Sequence, residues 1–393
     1  MDKFNDPIIK YKNFKMGTEI DIAGTFIYNG MKDLEQMDAF DYESEVFSFL
    51  YHIAVGIERL QKVLLVILEE INENNMAEFE ESLITHSHQY LQDKIKKKCN
   101  IEFNSRENSF LQVLNEFYKK CRYNRFNISG EYDAEKRILC EYIRNNLHGS
   151  EYKGDFIINN NKIKELLGRV IGSISRKYYN EIYNLSSKQN IYTYELRNES
   201  KARKIFLPEL RKDSLQDQTM NEKVAFKEFI TFLVNTHEEN SFIRFLRKIE
   251  PLELDVALAN QYLEDIIKGT ISQELIDTVD YLYGENSYSG DRIEMIDCIG
   301  NTRVMFERFD VDECYSMLKE LISGDLPCHE FAVEFPKIIM RLEDEDVVNL
   351  LKDTKRICED FMRKREIRID NSREFLDLMK EVYDDFKNIC YFG

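Results

Sequence analysis

The scarcity of helix-breaking residues constrains the fold of this chain more than any other feature of its sequence. Only 5 prolines and 15 glycines occur among 393 residues, and apolar residues recur at helical spacing over long stretches. Strand-like alternation is confined to short pieces at 155–158 and 191–194. The sequence therefore predicts an all-α protein, and its length is sufficient for two or three domains.

The apolar pattern also predicts how the domains are arranged. Residues 1–40 combine scattered glycines with short apolar pieces, which predicts an irregular N-terminal arm. Residues 41–185 are predicted to form a helical bundle of four or five members. A polar segment over 186–220, with a boundary at Pro208, is predicted to be a linker. Residues 221–393 are then expected to form a second, acidic α-helical domain.

Individual helices can be predicted from the same periodicity. In the first domain they are expected over 41–71, 76–98, 108–124, 133–148 and from 161 to about 182. In the second domain nine shorter helices are expected, over 223–234, 242–249, 254–268, 273–283, 291–298, 311–321, 331–342, 344–362 and 371–389. No residue motif recurs at a fixed period, so a solenoid repeat is not predicted.

Charge is distributed unevenly along the chain. The formal net charge is −18, but residues 1–200 carry 27 basic against 31 acidic residues, whereas 201–393 carry 27 against 41. Within 94–207 the balance is reversed, with 23 basic residues against 13 acidic ones. An anionic partner such as RNA would be attracted to this stretch, although excesses of this size are also common on solvated helices.

Cysteine, histidine and hydropathy patterns argue against several classes of protein. The 8 cysteines form no Cys-x-x-Cys pair, which is typical of reduced thiols in a cytoplasmic protein. No targeting segment and no apolar run of membrane-spanning length are found, so no membrane partner is expected. His86 and His88 would diverge by about 200° on a helix. The sequence predicts neither a metal site nor a cofactor.

The most informative motif is Arg144-Asn145-Asn146-Leu147-His148-Gly149, at the end of the helix predicted from about residue 133. Arg144 and His148 would lie about one helical turn apart, on a face that points away from the apolar side of that helix. An exposed polar helix end is the simpler interpretation of this spacing. A guanidinium beside an imidazole is also a combination suited to phosphate chemistry.

In its helical context this motif resembles the signature of the HEPN family, in which an arginine, usually followed by asparagine, precedes a histidine. The resemblance covers about residues 41–185. The segment 83–91 resembles the family's second-helix pattern, and 117–123 resembles the segment before its motif helix. The three residues between Arg144 and His148 are fewer than is usual in the family.

The resemblance implies a metal-independent endoribonuclease. His148 is expected to act as general base or acid, Arg144 to stabilise charge on the phosphate, and Asn145 to orient them. It also implies a homodimer, in which two motif helices form one composite cleft, and a toxin or effector of bacterial antiviral (abortive infection) systems. The acidic domain is then expected to sense, restrain or assemble the enzyme, with a regulatory or antitoxin protein as a further partner.

A second basic cluster precedes the motif helix. Lys119, Lys120, Arg122 and Arg125 alternate with aromatic residues, which predicts an RNA-contacting corner. A helix C-terminus decorated with cations explains the pattern equally well. Two further interpretations of the whole chain stay open. One is a HEPN-like module that binds RNA or a nucleotide, or only dimerises, without catalysis. The other is a helical scaffold in which the motif is accidental.

Overall fold

The structure is a computed structural model that describes residues 6–392 except 155, 193–195, 198–199, 208–213, 238–239, 286–289, 302, 305–308, 343–344 and 367–370. It is 76% helical. Among the described residues, the β-structure consists of an isolated antiparallel bridge between Ala39 and Ile158, without a sheet. The predicted all-α fold with more than one domain is confirmed. The strand-like pieces predicted at 155–158 and 191–194 lie partly outside the described residues.

The chain divides into two compact units, Met1–Lys227 and Glu228–Gly393. The helices of the first unit are α1 (Pro7–Lys10), α2 (Met16–Gln36), α3 (Glu43–Leu68), α4 (Met76–Ser82), α5 (His88–Lys96), α6 (Ser105–Glu116), α7 (Ala134–Asn146), α8 (Asn161–Gln189), α9 (Lys201–Phe206) and α10 (Leu215–Asn235), the last of which crosses into the second unit.

Helix α3 is the centre of the first unit. It packs against α2, α5, α7 and α8, and its second half is buried on nearly every side, with Ile53, Leu60 and Leu64 fully inaccessible. A helix that is buried on nearly every side lies inside a protein rather than on its surface. The long core helix predicted over 41–71 is thus confirmed.

The N-terminal segment is part of the core, and the prediction of an irregular arm was wrong for α2. Ile20, Ile27 and Leu34 recur every seven residues along α2 and are buried against the rest of the unit. Glycine in this segment serves close packing rather than a turn. A Cβ added to Gly24 would lie 2.3 Å from the Cβ of Ala202, so α2 and α9 could not approach as closely with any other residue there.

The helix predicted over 76–98 is two helices with a bend between them. Helix α4 ends at Ser82, and α5 begins after Ser87, whose hydroxyl accepts a hydrogen bond from the backbone N–H of Tyr90 at 3.3 Å. A serine side chain in this position satisfies an otherwise unpaired donor of the first helical turn. The cap therefore favours a new helix start over a continuous helix, and places His86 in the bend.

The predicted linker belongs in part to the first unit. Helix α8 starts where expected, because the side-chain oxygen of Asn160 accepts the N–H of Ile163 at 3.1 Å. Helix α9, which falls inside the predicted linker, buries Phe206 against Tyr179 with ring centroids 4.6 Å apart. The linker prediction was wrong for α9. Pro208, the predicted boundary, lies outside the described residues.

The second unit contains the helices that the sequence predicts from residue 242 onward, with one division, and the helix predicted over 223–234 is part of α10. They are α11 (Ser241–Lys248), α12 (Ala259–Lys268), α13 (Gln273–Glu285), α14 (Gly290–Cys298), α15 (Phe309–Ser323), α16 (Cys328–Ile339), α17 (Glu345–Leu350), α18 (Lys352–Glu366) and α19 (Ser372–Phe392). The predicted helix over 344–362 is divided into α17 and α18. Phe331, Phe335, Phe361 and Phe375 are buried at the centre of this unit's core.

The length and apolar character of a helix decide whether it can cross a lipid bilayer. Across the part of the chain that the structure describes, no helix combines enough length with enough apolar character to span a membrane.

Candidate functional site

The guanidinium of Arg144 is held by the loop that follows its own helix. It lies in the last turn of α7, where Nε donates to the carbonyl oxygen of Tyr152 at 3.0 Å and Nη2 donates to that of Gly154 at 2.9 Å. Tyr152 is only 2% exposed, and its hydroxyl accepts a hydrogen bond from Asn160 at 3.2 Å. The loop is thereby anchored in the core, so Arg144 has a fixed orientation.

His148 lies outside the helix that the sequence predicts for it. Helix α7 ends at Asn146, and Leu147 is extended, with φ −122° and ψ 136°. Leu147 packs against the core, which draws the chain away from the helical path, and His148 beyond it is exposed. Asn145 is exposed as well. The prediction that Arg144 and His148 share one helical face was therefore wrong, because the final turn does not form.

The basic corner of the sequence is built on a π-helical turn. Helix α6 continues into the five-residue turn Phe117–Cys121, which buries Tyr118 and Cys121 and exposes Lys119 and Lys120. The wider turn shifts the register of the side chains that follow it. Lys120 lies 3.8 Å from Glu116, one turn earlier. The two lysines are thus solvent-accessible charges at the end of a helix.

The two arginines of the corner make contacts within the protein. The guanidinium of Arg122 lies over the rings of Tyr51, Tyr118 and Tyr123, 5.5, 4.7 and 4.9 Å from their centroids. Arg125 forms an ion pair with Glu135, whose side chain is 1% exposed. A buried carboxylate needs such a partner, since an unpaired charge in the interior is costly. Arg125 therefore has a structural role whether or not it contacts RNA.

The basic stretch seen in the sequence is partly neutralised in space. Several of its cations pair with carboxylates from outside 94–207; these pairs include Lys98 with Glu69 at 2.7 Å, Lys136 with Asp41 at 3.0 Å and Lys164 with Glu35 at 3.2 Å. By sequence, the first unit carries 34 basic against 35 acidic residues and the second 20 against 37. The net negative charge of the chain therefore lies almost entirely in the second unit.

A buried chain of polar side chains crosses the first unit, and the sequence analysis missed it. Gln61 of α3 donates from Nε2 to the hydroxyl of Tyr178 at 2.9 Å, and its Oε1 lies 3.1 Å from Nδ1 of His88. The Tyr178 hydroxyl donates in turn to Oε1 of Gln92. All four side chains are buried. Their signal in the sequence is weak. It consists of a glutamine and a tyrosine at positions where the apolar face of a helix would otherwise continue.

The direction of each hydrogen bond in this chain can be assigned. The Gln61 oxygen can only accept, so Nδ1 of His88 carries the proton and Nε2 is an acceptor. Burial lowers the pKa of His88 to about 4 and raises the pKa of Tyr178, so both are neutral at pH 7. Nε2 of His88 and Nε2 of Gln92 have no partner among the described protein atoms.

His86 and His88 do not converge on one point. His86 stacks on Tyr118 with ring centroids 4.9 Å apart, and its Nδ1 lies 3.1 Å from Glu58, which also pairs with Lys62 at 2.7 Å. His88 instead joins the buried chain through Gln61. Within the described ranges, no group of three or more His, Cys, Asp or Glu side chains is placed to hold a metal ion.

Comparison of the sequence with protein-family models gave no match, and comparisons with curated proteins and with solved structures likewise gave none. The resemblance to the HEPN family over 41–185 accordingly stays a prediction that rests on the residues of the motif.

Proposed function

We propose that this protein is a metal-independent endoribonuclease whose site is built by Arg144, Asn145 and His148. The observation that carries the proposal is the placement of these groups: a guanidinium held in a fixed orientation by two carbonyls, followed four residues later by an exposed imidazole. Two of the five N–H donors of Arg144 hold the loop. An arginine can pair with phosphate oxygens through further donors of its planar fork.

The reaction suited to such groups is attack by the ribose 2′-hydroxyl on the adjacent phosphate. A base takes the 2′ proton, the 2′ oxygen bonds to phosphorus, and the bond from phosphorus to the 5′ oxygen breaks as that oxygen accepts a proton. Histidine suits both proton transfers near neutral pH, because it changes charge there. A guanidinium suits the charge that gathers on the phosphate oxygens.

Two subunits are part of the proposal. An exposed His148 suits a cleft completed by a second copy of the chain, whereas a self-contained site more often lines an internal pocket. The resemblance extends the proposal to a cytoplasmic toxin or effector of bacterial antiviral defence. In that role the acidic second unit restrains or assembles the enzyme, and a regulatory or antitoxin protein binds it.

Cleavage of total RNA by the purified full-length protein, in the presence of a metal chelator, tests the proposal. We expect the wild type to cut, leaving 2′,3′-cyclic phosphate ends, and His148→Ala and Arg144→Ala to cut at least about 100-fold more slowly. His237→Ala, which removes an exposed histidine of the second unit, is the matched control and keeps full activity. Cleavage that persists in both variants, or that the chelator abolishes, contradicts the proposal.

A catalytically inactive RNA-binding or dimerisation module is the second candidate. It is favoured by the engagement of Arg144 with its own loop and by the loss of the helical turn that would bring His148 onto the face of Arg144. In this case the wild type leaves RNA intact, whereas light scattering still shows a dimer.

RNA binding at the basic corner can be measured independently of cleavage. We expect the double variant Lys119→Glu, Lys120→Glu to bind single-stranded RNA about tenfold more weakly and with a shallower salt dependence, since two phosphate contacts are removed. The control is Lys162→Glu, Lys188→Glu, which makes the same charge change at exposed positions of α8. Equal loss in both double variants would indicate nonspecific attraction rather than an RNA-contacting corner.

A further inference from the structure

Two groups that suit an anion flank the ring of Tyr118 in the π-helical turn. The ring of His86 stacks on that of Tyr118 with centroids 4.9 Å apart, and the guanidinium of Arg122 lies 4.7 Å from the same centroid. Burial raises the pKa of Tyr118, the carboxylate of Glu58 raises it further, and Arg122 acts the other way. The Tyr118 hydroxyl is thus within electrostatic reach of Arg122 and of the carboxylate that His86 contacts.

The guanidinium of Arg122 is oriented by aromatic contacts that leave its donors free. It is partly exposed and rests on the rings of Tyr51, Tyr118 and Tyr123. Among the described residues this guanidinium has no hydrogen bond or ion pair, so its five N–H donors are available to a ligand. An arginine that stacks on rings and keeps its donors free is suited to paired hydrogen bonds with phosphate oxygens.

His86 supplies a second polar group at the same ring. Its Nδ1 lies 3.1 Å from the buried carboxylate of Glu58, and its side chain is 60% exposed. A carboxylate only accepts, so Nδ1 donates to Glu58, and Nε2 has no partner within the described part of the chain. Lys62 pairs with the same carboxylate at 2.7 Å and offsets its charge. A histidine in this position adds a positive charge when it takes up a second proton near neutral pH.

Exposed aromatic rings continue from Arg122. The ring of Tyr123, which contacts this guanidinium, is 59% exposed, and Phe126, with its ring centroid 6.3 Å from that of Tyr123, is 85% exposed. Rings that remain in water beside a cation are suited to stacking with an unpaired base, since every base has a flat aromatic face. The surface therefore offers phosphate and base contacts around one arginine.

The number of positive charges indicates which kind of phosphate fits. A phosphate within a strand carries one negative charge, whereas a terminal phosphate carries about 1.5 to 2 at pH 7. Arg122 and a protonated His86 together match the larger charge, and the Tyr118 hydroxyl adds a donor. Lys119 and Lys120, exposed on the same turn, then face the following phosphates of a strand.

We propose that this surface binds the 5′-phosphorylated end of an RNA strand, with the terminal phosphate beside Arg122 and His86 and the first base stacked on Tyr123 and Phe126. It extends the predicted RNA-contacting corner from the phosphates of a strand to the end of the strand.

This end-binding surface includes none of Arg144, Asn145 or His148, so it stands whether or not the protein cleaves RNA. The cleavage proposed above leaves a hydroxyl on the 5′ oxygen of the downstream fragment. The protein would therefore distinguish strands that carry a 5′-phosphate from the fragments that it produces itself.

Binding of two versions of one short single-stranded oligonucleotide to the full-length protein, measured by fluorescence anisotropy, tests this proposal. Both are 2′-O-methylated, so that attack by the 2′-hydroxyl is impossible, and they differ only in a 5′-phosphate or a 5′-hydroxyl. We expect the wild type to bind the phosphorylated form about tenfold more tightly.

His86→Gln should abolish this preference. The imidazole is exposed and Glu58 keeps its pair with Lys62, so the fold is retained. His329→Gln is the matched control, because it removes an exposed histidine that lies 4.0 Å from Glu330 in the second unit. It should keep the full preference for the 5′-phosphate.

The exposed ring is tested separately, which also covers a loss of folding in His86→Gln. Phe126→Ala should weaken binding of both oligonucleotides about tenfold without changing the preference, because stacking does not depend on the phosphate. Phe14→Ala, which removes another exposed ring of the first unit, is the control and binds as the wild type does.

Four results would overturn the proposal: equal binding of the two oligonucleotides by the wild type, a preference that persists in folded His86→Gln, equal behaviour of Phe126→Ala and Phe14→Ala, or binding of inorganic phosphate or a phosphoserine peptide as tight as that of the phosphorylated oligonucleotide.

Discussion

Replacement of Phe40 by alanine is expected to lower the free energy of unfolding of the first unit by about 3–5 kcal/mol. Phe40 is fully buried, and its backbone N–H donates to the carbonyl of Ile157 at 3.0 Å, which ties the turn after α2 to the segment before α8. Removal of the ring takes away apolar contacts with several elements at once and leaves a cavity. A loss of this size is a large fraction of the stability of a typical domain.

The matched control is Phe14→Ala. Phe14 lies in the same N-terminal segment, but its residue is 66% exposed, so the same chemical change should cost well below the loss at Phe40. Urea titration, with hydrogen exchange of α3 amides as the readout, reports on the first unit alone. Equal and small losses in the two variants would mean that the N-terminal segment is peripheral, and would contradict its packing against α3.

The helices could be predicted from sequence wherever apolar periodicity was strong. The core helix α3 and the helices of the second unit, apart from the division between α17 and α18, follow from spacing alone, because a helix buries a stripe of side chains at fixed intervals. Helix α2 could not be recognised, although its apolar residues have the same period. Its glycines suggest turns in sequence, yet Gly24 marks the place where α9 comes close. Sequence spacing does not distinguish these two uses of glycine.

The candidate site was predictable only in part. The motif indicated Arg144 and His148, but where α7 ends depends on Leu147 turning into the core, which is a tertiary effect. The charge excess over 94–207 is reduced in the fold by carboxylates from outside that range, among them Glu35 of α2, Asp41 in the turn before α3 and Glu69 just after α3. Local counts of charge describe a ligand-binding surface only when the rest of the fold adds no partners.

The buried polar chain was beyond the reach of sequence reasoning for a different reason. Its members lie on α3, α5 and α8, and Gln61 and Tyr178 are more than a hundred residues apart. Each residue by itself is unremarkable for its helix. Only the packing of three helices converts them into a directed series of hydrogen bonds, so the series could be found only in the structure.

Mild acid is expected to destabilise the first unit through His88. Burial lowers the pKa of this imidazole from 6.5 in an unfolded chain to about 4 in the folded protein. The unfolded state therefore binds the proton first as the pH falls. The contribution of His88 to stability is complete above about pH 6.5, declines as the pH drops toward 4, and levels off below that value. The full decline corresponds to about 3 kcal/mol.

The charged and titratable groups that face His88 modify this decline without reversing it. Glu58 of α3 favours the protonated imidazole, whereas Lys62 and His86 oppose it, and all three act more weakly than burial. Carboxylates elsewhere also titrate below pH 5, so the informative quantity is the difference between two proteins.

His88→Asn supplies that comparison, because it preserves a donor toward Gln61 and cannot titrate. Free energies of unfolding of wild type and His88→Asn, measured by urea titration from pH 7 to pH 4, should converge as the pH falls. The wild type loses stability faster, since only its imidazole gains a proton on unfolding. Parallel curves would mean that the pKa of His88 is the same in the folded protein as in the unfolded chain. His88 would then not be a neutral, buried partner of Gln61, and the buried chain with Tyr178 and Gln92 would be contradicted.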